Sequence, residues 1–131
     1  MPQQPQPPGG IRSINAVTLR TGDMAACVAF YQALGMKITF GGAGARFTSL
    51  SAGDCHVNLS AALVVDAAPF PGRIIFHVDD VDALYERICS AGYTPQTAPE
   101  DAPWGERFFH IRDPSGHELS FARPLAWQSA G

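Results

Sequence analysis

The chain repeats itself. From Asp23 to Gly35 is twelve positions, and from Asp80 to Gly92 is twelve again. Between the first pair, Cys27, Phe30, Tyr31 and Leu34 fall at i, i+3, i+4 and i+7, the spacing of one buried helix face. Between the second, Leu84, Tyr85, Ile88 and Ala91 draw the same stripe. Each aspartate is a good N-cap and each glycine a natural stop after a last helical turn. Further on, Gly44-Ala45-Arg46-Phe47 recurs as Gly105-Glu106-Arg107-Phe108. A period of 57–61 residues prescribes two copies of one supersecondary unit, each with the same surfaces to cover.

The remaining segments supply strands. In the first copy they are expected at Ile11–Thr21, Lys37–Phe40, Ala45–Leu50 and His56–Ser60, with glycine-rich turns at 41–44 and 52–54. In the second they are expected at Arg73–Val78, Tyr93–Gln96, Phe108–Arg112 and His117–Ala122. The last two are joined by the tight turn Asp113-Pro114-Ser115-Gly116. Each copy is therefore βαβββ, and the class is α+β with mixed, largely antiparallel sheets. One helix covers one sheet face, so the other face of each module needs cover. Two modules meet that need by curving their open faces around a shared cleft, within one chain or between two. The expected layout is a Pro/Gln/Gly-rich tail over 1–10 and a single domain over 11–127. Module one takes 11–64, a linker 65–72, and module two 73–127.

Composition narrows the function. A length of 131 residues suits one core, and 46% apolar with 16% charged residues suits a globular domain. A net charge of −3 excludes an electrostatic nucleic-acid binder. No apolar run approaches the ~18 residues that span a bilayer, and MPQQPQPPGG has no apolar signal region. A cytoplasmic protein is expected, with no membrane or nucleic-acid partner. Cys27, Cys55 and Cys89 make neither a C-x-x-C pair nor an even framework, and are read as buried thiols. Gly41-Gly42-Ala43-Gly44 lies between strands with no helix following, so it reads as a turn and not a phosphate loop.

The paired modules, Phe30-Tyr31-Gln32-Ala33-Leu34-Gly35 and Val78-Asp79-Asp80-Val81-Asp82 resemble the vicinal oxygen chelate superfamily. It groups glyoxalase I, extradiol dioxygenases, fosfomycin-modifying enzymes and bleomycin resistance proteins. Pro103-Trp104-Gly105 followed by Arg112-Asp113-Pro114 is most similar to the bleomycin-resistance branch. The resemblance implies a divalent metal held by one residue from the first and one from the fourth strand of each module. Flanking patterns carry those positions to Ala16, Asn58, Arg73 and Ser120. Alanine has no lone pair, arginine is permanently cationic, and neutral amide or hydroxyl oxygens bind transition metals poorly. No metal cofactor is expected at that set.

Strand alternation gives the neighbours that face the cleft. They are Ile14 and Thr18 beside Ala16, His56 and Ser60 beside Asn58, Ile75 and His77 beside Arg73, and Glu118 beside Ser120. Phe108 and His110 face the same way if Phe109 and Ile111 pack on the helix. Trp104, in a proline-rich loop, is either a loop anchor or a stacking surface at the cleft mouth; the resemblance favours the latter, with Phe47 opposing it. Arg73 either pairs with Glu118 or grips an anionic or carbonyl group. His117 is expected in the turn, solvated.

The leading expectation is a metal-free, homodimeric protein that sequesters a flat, aromatic or partly cationic small molecule of antibiotic type. Trp104, Phe108 and Phe47 would stack on it, and Arg73, His77, His110, Glu118, Asn58 and Ser120 would orient its polar groups. The alternative is a metal-dependent lyase, isomerase or dioxygenase using His56, His77 and His110 as displaced ligands of a divalent ion. A scaffold with an idle cleft is the third.

Overall fold

The computed structural model describes residues 8–61, 69 and 71–126. Module one contains β1 (Ala16–Arg20), α1 (Met24–Ala33), β2 (Lys37–Phe40), β3 (Phe47–Ala52) and β4 (Cys55–Ser60). Module two contains β5 (Arg73–His77), α2 (Val81–Ser90), β6 (Glu100–Asp101), β7 (Glu106–Arg112) and β8 (Glu118–Pro124). They form two four-stranded sheets, ordered β1-β4-β3-β2 and β5-β8-β7-β6. In each, the first strand runs parallel to the last and the other pairings are antiparallel. The α+β class and the two βαβββ modules are as the sequence implies. No helix among the described residues is long and apolar enough to cross a membrane.

The helix boundaries follow the caps. Asp23 accepts a hydrogen bond from the Ala26 amide and Asp80 from the Ala83 amide, both at 3.0 Å. Gly35 and Gly92 close the two helices at φ 99° and 97°, a left-handed conformation that other residues enter at a cost. Apolar residues of both helices meet the inner sheet faces in one core, which includes Leu19, Phe30, Leu50, Leu59, Ile88, Phe109 and Leu119.

The helices differ in what surrounds them. α1 (MAACVAFYQA) carries no charge, and Met24, Cys27, Val28, Phe30 and Tyr31 are all buried. α2 (VDALYERICS) is charged on its outer side and buries Val81, Leu84 and Ile88. α1 is covered twice, once by its own sheet and once by module two. The Tyr31 hydroxyl donates to Asp113 Oδ2 at 2.6 Å, and Phe30 packs edge-on to Tyr93 at 5.0 Å. Thr21 Oγ1 and Ser115 Oγ lie 2.8 Å apart, with Cys27 Sγ beside both. Asp113 Oδ1 also accepts the amides of Ser115 and His117, so this buried carboxylate is satisfied on every side. Burial and the adjacent carboxylate push the Tyr31 phenol well above its ordinary value. Burial raises the Cys27 thiol too, so both stay protonated.

Several expectations need correction. β1 begins at Ala16 and not Ile11, because its partner β4 begins at Cys55 and a ladder cannot outrun its partner. Ile14 accordingly lies beyond the strand, 72% exposed. Tyr93–Gln96 is not a strand. Gln96 N–H does reach His110 O at 2.8 Å, but Pro95 has no N–H to extend the pairing, which resumes at β6. His117 is 2% exposed, its Nε2 2.7 Å from the Arg20 carbonyl oxygen, and so belongs to the joint between modules and not to solvent. Of the cysteines only Cys27 is buried; Cys55 is partly covered and Cys89 exposed. The tail expected over 1–10 and the linker over 65–72 lie largely outside the described residues, as does residue 127.

Candidate functional site

The strand registers align the two modules residue by residue. On the open face of module one, three cross-strand rows read Ala16–His56–Ser51, Thr18–Asn58–Ser49 and Arg20–Ser60–Phe47. On module two the corresponding rows are Arg73–Glu118–Arg112, Ile75–Ser120–His110 and His77–Ala122–Phe108. The repeated Gly-x-Arg-Phe motif is therefore structural equivalence: Phe47 and Phe108 occupy the same place. So do Ala16 and Arg73, and Asn58 and Ser120.

Module two gathers most of the expected site residues. Trp104 stacks on Phe108 with ring centroids 5.9 Å apart and planes 24° from parallel, and Phe108 leans on His110 at 4.9 Å. A hydrogen bond of 2.8 Å from Trp104 Nε1 to Glu106 fixes the indole. Gly105, at φ 95°, makes the turn that folds it back over the sheet. Phe108 is nearly covered by this arrangement, whereas Trp104 is 69% exposed and offers its outer face. At the opposite end, Arg73 and Arg112 each donate one N–H to Glu118, at 3.3 and 3.2 Å. The middle row holds Ser120, buried, and His110, whose Nδ1 is buried without a hydrogen-bond partner. Burial, together with the Arg73 charge, lowers the His110 pKa below its ordinary value, so its ring is neutral at neutral pH.

Module one is plainer. Asn58 donates to Thr18 Oγ1 at 3.2 Å and faces Ser49. Within one chain Phe47 packs not on Trp104 but on Phe40 of its own sheet, at 6.4 Å. Arg112 follows His110 by two residues and was legible from the alternation that places Phe108 and His110. Phe40 was not, because a bulge between Ile38 and Phe40 breaks the alternation in β2.

The three histidines are not brought together: His56 lies on the first sheet, and His77 and His110 on the second, in different rows. Among the described residues no group of three His, Cys, Asp or Glu could hold a metal ion. The residues at the superfamily's ligand positions do not fit a divalent metal either. Arg73 repels it, Ala16 offers nothing, and Asn58 and Ser120 offer only neutral oxygens. A separate groove of about 510 Å³ opens on the helix side between the modules, along Met36, Gly53, His77, Asp79 and Arg87. Its Asp80 is engaged as the α2 cap. The open faces hold the under-coordinated groups and the exposed rings, and are the better candidate.

Comparison with known proteins agrees with this architecture. The family model described as the Glyoxalase/Bleomycin resistance protein/Dioxygenase superfamily matches residues 13–121. A Mycobacterium bovis protein, CFP32, whose name places it provisionally among the glyoxylases, is 31% identical over 107 residues, covering 77% of this chain and 40% of its own. The chain spans about a third of the length of the curated relatives it matches (32–40%). A bleomycin-binding protein solved in complex with bleomycin is 26% identical, with a TM-score of 0.68 over 86% of this chain and 98% of that one. A bleomycin resistance determinant encoded on transposon Tn5 has a TM-score of 0.71 over 86% and 98%, at 24% identity.

Proposed function

The chain belongs to the glyoxalase/bleomycin resistance protein/dioxygenase superfamily, and we propose that within it the chain is a binding protein that sequesters an aromatic small molecule of antibiotic type without a metal ion. The observation that carries this reading is the Trp104–Phe108–His110 stack, one aromatic face of which is presented to solvent above a polar floor. An aromatic surface with a few placed polar groups beside it is the chemistry a small-molecule site uses to hold and orient its ligand. The similarity to a bleomycin-binding protein supports the same class of ligand. The donor chemistry at Ala16, Asn58, Arg73 and Ser120 supports binding without a metal.

The cleft is completed by a second copy of the chain in the cytoplasm. Among the described residues, the hydrogen bonds and ring contacts between modules lie on the helix side and in turns. The open faces are left with Phe40 66%, Phe47 39%, Ile75 60% and Trp104 69% exposed. That is more apolar surface on two faces than a single chain gains by leaving in water. Facing copies would bury it and enclose a ligand.

The test is thermal shift of untagged protein with bleomycin-type drugs, alongside its metal content and sedimentation. A drug that raises the melting point of wild type but not of Trp104→Ala, on a dimer without stoichiometric metal, is the expected result. About one divalent ion per chain, retained through purification and lost in His77→Ala, would instead establish the metal-dependent enzyme.

A further inference from the structure

Four arginines of module two lie on its sheet, Arg73, Arg107, Arg112 and Arg123, and the first three are used differently. Arg107, on the helix side of β7, donates Nε and Nη2 to both oxygens of Asp82 at 2.8 Å and Nη1 to Asp101 at 2.9 Å. Its donors are matched and its charge is met by two carboxylates. Arg73 and Arg112 share the single carboxylate of Glu118, each through one long bond from Nη2. Their side chains are 44% and 57% exposed, with Glu118 between them at 33%. Two guanidiniums against one carboxylate leave one positive charge and most of ten N–H donors for a partner. The excess is felt locally: Arg73 lowers the His110 pKa by more than Glu118 raises it. The other acids of this face, Glu100 and Glu106, stand at the other end, beside Phe108 and Trp104. A chain whose net charge is −3 thus holds a cationic end on its open face.

We propose that the Arg73–Glu118–Arg112 row is an anion subsite, and that the ligand of the cleft is an aryl compound bearing a carboxylate. This rests on the reading of the open face as the binding cleft and specifies the charge of what enters it. A second carboxylate between the two guanidiniums completes an alternating ring of two cations and two anions, each arginine gaining a partner in the planar geometry its fork suits. The ring system lies on Trp104. Phe108 and Arg112 are four residues apart on β7, about 13 Å along the strand. A spacer of a few methylene groups therefore joins the two ends.

The experiment is calorimetric titration of the full chain with ω-phenylhexanoate, ω-phenylhexanamide and ω-phenylhexylamine, which share the phenyl ring and six-carbon chain and end in an anionic, a neutral and a cationic group. The acid is expected to bind at least about tenfold more tightly than the amide, the scale of one charge-assisted hydrogen bond, and the amine most weakly. Arg73→Gln and Arg112→Gln should each abolish the preference. Glu118→Gln should strengthen acid binding severalfold, whereas a merely structural ion pair predicts no gain. Trp104→Ala should weaken all three alike. If the three bind equally, or the amine best, the anion subsite is overturned while the binding-cleft reading stands. If none binds to wild type, both are overturned.

Discussion

The two modules share a backbone plan and distribute their bulk in opposite ways. In module one the aromatic volume sits on the helix, as Phe30 and Tyr31, and the facing sheet rows are Val17–Val57–Leu50 and Leu19–Leu59–Thr48. In module two the positions twinned with Phe30 and Tyr31 hold Arg87 and Ile88, and the sheet supplies the rings: Ile74–Leu119–Ile111 and Phe76–Phe121–Phe109. Phe76 stacks on Phe121 at 5.2 Å, and Phe109 packs against Phe121 and Tyr85. Core volume has moved between layers without changing topology, as expected where total volume matters more than which element provides it. The open faces diverge further. Nothing in folding dictates them, because the ladders are backbone bonds. Each keeps a phenylalanine, but one otherwise carries mostly small and neutral residues beside Arg20 and His56, and the other gathers two arginines, a glutamate and two histidines.

That contrast can be broken by making module two resemble module one. Phe109→Thr installs its twin's residue without the Gly42 contacts that satisfy Thr48. It leaves a cavity under Tyr85 and Phe121 and should cost about 4 kcal/mol in urea unfolding. Asp113→Ala attacks the joint instead. It strands the Tyr31 hydroxyl and two amides in a buried site, for a loss of about 3 kcal/mol by the same measurement.

His110 sharpens the comparison through pH. Its folded pKa is depressed, so stability is full above the ordinary histidine value and falls as pH drops through the folded value. His110→Phe should flatten the difference in stability between about pH 7 and pH 5; an unchanged slope would sink the assignment. Asp82→Asn is the smallest change. The Arg107 bonds hold the Asp82 carboxyl below its ordinary value. The contribution is present at neutral pH and disappears as pH falls through the folded-state value. With Asp82 more than half exposed, the pair should be worth no more than about 1 kcal/mol in a double-mutant cycle.

The repeat was legible because it rests on local chemistry. Asp23, Asp80, Gly35 and Gly92 act on their own helices, and the alternation from Phe108 to Ile111 fixes which residues face the core. What escaped depended on distant partners. His117 looks like a turn residue, yet its ring nitrogen meets the carbonyl of Arg20, 97 positions away. Strand β6 is two residues long and exists only where β7 passes. The site was legible at Trp104, Phe108 and the Arg73–Glu118 pair. It was hidden at Phe40 by a bulge, and at Phe47 by the modules packing through their helix sides.

The joint between modules has a consequence for how the chain comes into being. Tyr31 and its acceptor Asp113 are 82 positions apart, and Thr21 and Ser115 are 94. On a ribosome α1 emerges several seconds before residue 113, at roughly 5–20 residues per second. During that interval an uncharged helix has only half its cover. Closing so long a loop costs entropy before any contact repays it, which slows folding relative to local packing. The β7–β8 hairpin, made long after α1, is the one that shields that helix.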